Sequence, residues 1–147
     1  MAAHTVLRSA ALVGALVALA GCGGGGDVLD VQLHEGTTAL VSTSAEGGSD
    51  AEVRGIIQVG AGGCLGLLSE GTTHPIPLIW PEGSKLTEAG DAVDVPGLGV
   101  VRVGQTVSGG GGEVTNPSGD RYAAIPAACL DQDTLIEVAT IKTGSPD

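Results

Sequence analysis

The sequence predicts an all-β fold: a small antiparallel barrel of the OB or SH3-like kind, or a compact sandwich, closed by one disulfide and carried on a flexible tether. Three observations lead there. Apolar residues recur in short runs of period two, separated by Gly and Pro turns, the spacing of half-buried strands rather than of helices. Aromatic residues are nearly absent, with Trp80 and Tyr122 alone and no Phe. Val, Ile, Leu and Ala must therefore fill the core, and β-branched residues pack well on a pleated surface. Six short strands make a sheet whose edges closure into a barrel would remove.

The folded unit is expected over residues 51–143, with 144–147 as a polar tail. Val53, Gly55, Ile57 and Val59 alternate with Arg54, Ile56 and Gln58 as a first strand. Gly60-Ala61-Gly62-Gly63 turns the chain, and Cys64-Leu65-Gly66-Leu67-Leu68 returns as its hairpin partner. Ile76-Pro77-Leu78-Ile79-Trp80 is a third strand. Pro75 and Pro77 lack backbone donors, so this strand is expected at an edge or with a bulge. Ala92–Val95 and Gly99–Val103 follow as two more, and Leu135–Ile141 is the last. Gly109-Gly110-Gly111-Gly112 reads as a bulge or a mobile barrel loop, and residues 123–130 as one helical turn or extended chain.

The N-terminus has its own logic. Arg8 and the terminal amine precede an apolar run from Ala10 to Ala20, with small residues after it. That order is a secretory signal over residues 1–21, and the run is shorter than the roughly 20 apolar residues of a spanning helix. Leu19-Ala20-Gly21-Cys22 resembles the lipobox of bacterial lipoproteins. The resemblance implies a diacylglyceryl group on the Cys22 thiol, cleavage just before it, and a palmitate-type acylated protein held on the extracytoplasmic side of a cell membrane. Two acyl chains anchor stably where one does not. The rival site Ala18-Leu19-Ala20 would instead release a soluble chain. Residues 22–50 are expected to be the lipidated Cys22 and a tether rich in Gly, Ser and acids. Within it Val28–Leu33 alternates weakly, as a strand added to the domain or a mobile segment. The domain as a whole resembles the small glycine-rich exported lipoproteins of high-GC actinobacteria, through Cys64-Leu65, Trp80-Pro81 and its glycine runs, and that resemblance implies no activity.

The chain carries 17 acidic and 6 basic residues, a net charge of −11. All the acids lie beyond residue 21. Binding nucleic acid or anionic lipid headgroups requires clustered Lys and Arg, so neither is an expected partner. With Cys22 lipidated, Cys64 and Cys129 remain, and outside the membrane such thiols oxidise. A bond between them closes a loop of about 65 residues, on the order of 4 kcal/mol in the chain-entropy model. A two-Cys metal site lacks the C-x-x-C spacing.

No stretch presents recognisable chemistry. No G-x-S-x-G surrounds a serine, and Ser84-Lys85 lacks the S-x-x-K spacing. Asp131-Gln132-Asp133 with Glu137 does not complete a calcium loop, which wants an oxygen ligand at Leu135 and a Gly at Ile136. Gly109 to Gly112 are not followed by the Lys and helix start of a phosphate loop. The expectation is a non-catalytic β-domain presented for a protein or small ligand, with no cofactor and no metal. The alternative is an envelope enzyme or metal-dependent binder using His74 and nearby acids. Candidate binding positions are His74, Trp80 and Gly109, Gly110, Gly111 and Gly112. Trp80 reads first as core volume, since alternation groups it with Ile76 and Leu78.

Overall fold

The computed structural model describes residues 27–45 and 49–144. The signal segment 1–21, Cys22 and residues 145–147 of the expected tail lie outside them. Ten strands form: β1 (Asp30–His34), β2 (Thr37–Val41), β3 (Ala51–Val59), β4 (Leu65–Leu68), β5 (Ile76–Trp80), β6 (Lys85–Leu86), β7 (Ala92–Val95), β8 (Gly99–Arg102), β9 (Thr106–Thr115) and β10 (Thr134–Thr143). Short 3-10 turns occupy Ala61–Gly63, Asp120–Tyr122 and Ala127–Leu130.

Five strands close a ring in the order β3-β4-β5-β10-β9 and back to β3. Every joint is antiparallel except β5 with β10, which is parallel at Leu78 and Ile79. This is a five-stranded Greek-key barrel of the OB kind. The β6-β7-β8 meander leaves the barrel after β5 and returns into β9.

Strand alternation produces two apolar layers. Inside the barrel lie Ile57 of β3, Leu65 and Leu67 of β4, Leu78 and Trp80 of β5, Val107 of β9, and Ile136 and Val138 of β10. Leu86, Val93, Val95 and Val101 of the meander join the same buried cluster, so the meander covers the interior from one side. The alternate residues point outward and form a second layer: Leu40, Cys64, Ile79 and Leu135, with Leu29, Ile125 and Cys129 packed on them.

Three expectations are corrected. Within the tether expected over residues 22–50, β1 takes the added-strand alternative left open for Val28–Leu33, and β2 is a strand that was not expected. β1 and β2 form a hairpin, and β2 pairs in parallel with β5 at Leu40 and Val41. Leu29, Ala39, Leu40 and Val41 are buried, and that burial orders a stretch whose composition alone would not. The third expected strand, β5, is not at an edge. β10 lies along one side; β4 takes Ile76 and Pro77 on the other, and β2 takes Ile79 and Trp80. Gly66 stands opposite Pro77, and a Cβ there would come within 2.5 Å of the Ile76 carbonyl oxygen. The missing side chain lets β4 close on a proline-bearing strand.

The glycine run is the third correction. Gly109 to Gly112 are not a loop but the middle of β9, paired with β10 throughout and with β3 at Gly109 to Gly111. None has a positive φ. Two of them are glycine for lack of room beside β10: a Cβ at Gly109 would overlap the Thr140 carbonyl oxygen, and one at Gly111 the Glu137 carbonyl oxygen. β10 slips register between Val138 and Thr140, and this bulge presses its backbone onto β9.

Candidate functional site

Cys64 and Cys129 are bonded, with Cα atoms 5.6 Å apart, within the ordinary range for a disulfide. Both are buried at 1% and 2% exposure. The close approach depends on the turn before Cys64. Gly62 adopts φ 64° and faces Ala128, whose Cβ a side chain at Gly62 would overlap. The bond pins segment 116–133 to the start of β4.

In OB barrels the face of the second and third strands, with the adjoining loops, takes oligonucleotides and oligosaccharides. The corresponding strands here are β4 and β5. Their outer side is occupied by the chain itself: Leu29 and Leu40 from the N-terminal hairpin region, and Ile125 and Cys129 from segment 116–133, pack on Cys64 and Ile79.

A charged pair reinforces that cover. Arg121 of the 3-10 turn pairs with Glu137 of β10, with side chains 22% and 11% exposed. Its other guanidinium nitrogen, Nη1, donates to the Asp27 carbonyl oxygen at 3.4 Å, and its own carbonyl accepts from Leu29 N–H at 3.1 Å. Its Cζ stands 5.8 Å from the Tyr122 ring centroid, within cation–π range. Sequence reading placed Glu137 only in a rejected calcium pattern and missed this pair. Partners 16 residues apart, one of them in a polar loop, leave no periodic signal. Asp131 and Asp133 are exposed and do not join Glu137.

His74 is exposed and lines a depression with Asp131 and Gln132, beside the Val59–Ala61 turn. Gln132 Nε2 donates to the Pro75 carbonyl at 3.5 Å. Among the described residues, no three His, Cys, Asp or Glu side chains converge to hold a metal ion. Trp80 is wholly enclosed in the interior cluster and offers no surface to a ligand. Its Nε1 and the Ser84 Oγ are buried side-chain atoms without a hydrogen-bond partner. The glycine run is a barrel wall, as described above, and provides no phosphate cradle. Of the sequence-named residues only Cys64 and Cys129 are brought together: Cys22 lies outside the described residues, Trp80 is core, Gly109 to Gly112 are wall, and His74 stands apart.

What the structure brings together instead lies along β3. Two concavities meet there and share Arg54, Ser69 and Glu70. One runs over the outer face at Ile56, Leu68, Thr72 and Thr106. The other reaches toward the barrel interior at Val53 and Ile136, rimmed by Glu52 and Glu113. Sequence reading missed this place, because it is made where one strand departs from another rather than by any motif. No family model matches the chain, and no curated protein and no solved structure matches it either.

Proposed function

We propose that this chain is a lipid-anchored cell-envelope protein that presents a non-catalytic β-barrel to a protein or small ligand outside the membrane. The observation that carries the reading is the adjacency of Leu19-Ala20-Gly21-Cys22 to a disulfide-bonded barrel. A lipobox calls for export and acylation, and a disulfide belongs to an oxidising compartment. The paired concavities along β3 support binding as the role, since exposed clefts on a rigid scaffold commonly carry recognition. The net charge of −11 argues against nucleic acid as the partner.

Leu29 is buried. The chain from Cys22 to Leu29 therefore spans at most about 25 Å when fully extended, so an acylated Cys22 would hold the barrel close to the bilayer.

The test has two arms. Intact mass of the membrane-extracted protein should give an acylated chain beginning at Cys22, and Cys22→Ala should move the protein into the medium without lowering its melting temperature. A chain beginning at Gly21 and found in the medium would end the anchoring claim. Crosslinking on intact cells should then retain a partner on the wild-type barrel and equally on His74→Ala. Turnover of an envelope substrate that His74→Ala abolishes would replace the binding module with the enzyme reading.

A further inference from the structure

β3 is paired unequally on its two sides. β9 runs beside Ala51–Ile56, but β4 meets β3 only over Ile56–Val59. On the β4 side, residues 51–55 have no strand beside them among the described residues. β4 leaves because a tight turn follows it: the Thr72 N–H and the Thr72 hydroxyl both donate to the Ser69 carbonyl, at 3.1 and 2.8 Å. Gly55 marks the point of departure, where a Cβ would come within 2.5 Å of the Leu68 carbonyl oxygen. The result is a slot between an unpaired strand edge and the Ser69–Glu70 turn, and the two concavities described above open on its two faces.

An unpaired strand edge is a template for another strand. A strand laid in the slot would send successive side chains to opposite faces, and here each face has a receptacle. On the inner face Val53 and Ile136 offer apolar contact, with the Glu113 carboxylate at the rim. That combination suits a long cationic side chain, its stem on the aliphatic residues and its head at the acid. On the outer face Ile56 and Leu68 suit an aliphatic side chain. Around the slot stand three carboxylates, Glu52, Glu70 and Glu113, against one guanidinium, Arg54, which has no ion-pair partner among the described residues. Three carboxylates against one guanidinium favour a basic partner.

Resting on the binding-module reading, we propose that the free edge of β3 from Ala51 to Gly55 accepts an extended peptide segment as an added strand, and that this segment carries a basic residue next to an aliphatic one. Main-chain hydrogen bonds would supply affinity and the two receptacles selectivity, the division of labour of strand addition.

The test uses the full chain, purified with its disulfide intact, and a fluorescent acetylated octapeptide of alternating Lys and Val. Fluorescence anisotropy should show saturable binding, and hydrogen exchange should show added protection over residues 51–55. The double variant Glu70→Lys, Glu113→Lys changes exposed residues and should keep its melting temperature. It should bind roughly tenfold more weakly, since two rim attractions become repulsions. The same octapeptide with every amide N-methylated keeps its charge and side chains, loses its backbone donors, and should not bind. Binding that survives N-methylation would be charge adhesion and would overturn the proposal, as would protection confined to another segment or no binding at all. Capture of a native partner through a different face would preserve the binding-module reading and overturn this one.

Discussion

Alanine substitution along Gly109 to Gly112 separates a strand from a loop more sharply than any other perturbation. A mobile glycine loop tolerates alanine at every position, and each change gains about 0.4–1 kcal/mol by narrowing the unfolded ensemble. The structure predicts unequal outcomes instead. At Gly109 and Gly111 the added Cβ meets a backbone carbonyl oxygen of β10, that of Thr140 or Glu137, which cannot rotate away. Overpacking typically costs 1–3 kcal/mol, and the rigidity of the obstacle puts these two at the upper end. Less the unfolded-state gain, about 2 kcal/mol of destabilisation is expected at each. At Gly110 the nearest atom is the Thr140 hydroxyl at 3.2 Å, which a small side-chain rotation relieves. Gly110→Ala should therefore stay within about 0.5 kcal/mol of the parent, a net of the same two effects. Urea unfolding with the disulfide oxidised reads this as a lower midpoint at unchanged slope. Thermal unfolding should give a fall of about 8 °C for Gly109→Ala and Gly111→Ala. Equal losses at Gly109 and Gly110, or none at either, would refute the argument from backbone proximity.

Three further outcomes follow from other contacts. Replacing Cys64 and Cys129 together by Ala should cost about 4 kcal/mol, and calorimetry with and without reductant should give the same fall for the native protein. Glu137→Ala leaves Arg121 without its carboxylate partner in a largely enclosed position and should cost roughly 2–4 kcal/mol; adding Arg121→Ala should cost less than the sum, as a double-mutant cycle would record. Gln32 joins the hairpin to the meander, its Oε1 accepting from Leu86 N–H at 2.7 Å and its Nε2 donating to the Ser84 carbonyl at 3.1 Å. Gln32→Glu keeps the acceptor, loses the donor and faces Asp30, so denaturant unfolding should show a loss of about 1–2 kcal/mol.

The amino-acid pattern by itself determined the elements whose two faces differ. β3, β7 and β8 announce themselves because one side of each meets the core, whereas β4, β5 and the first half of β10, largely covered on both faces, show as short apolar runs bounded by turn residues. The pairing of Cys64 with Cys129 was expected from a count of three cysteines, once the resemblance of Leu19-Ala20-Gly21-Cys22 to a lipobox had set Cys22 aside. β2 escaped because all five of its residues are buried. A strand covered on both faces has no alternation to read, and its short run stood inside a segment whose glycines, serines and acids suggested a tether. The glycine run misled for a related reason. Composition reports the freedom of a residue, whereas Gly109 and Gly111 answer to the bulged backbone of β10 passing beside them. Pro77 sits in an interior strand because Gly66, distant in the chain, makes room opposite it. The slot along β3 exists only where β4 leaves β3 after Ile56, and the ion pair of Arg121 with Glu137 only where segment 116–133 folds back over the barrel. Local periodicity records which side of an element is apolar; it carries no record of which backbone lies against it, and closure of the barrel decided that.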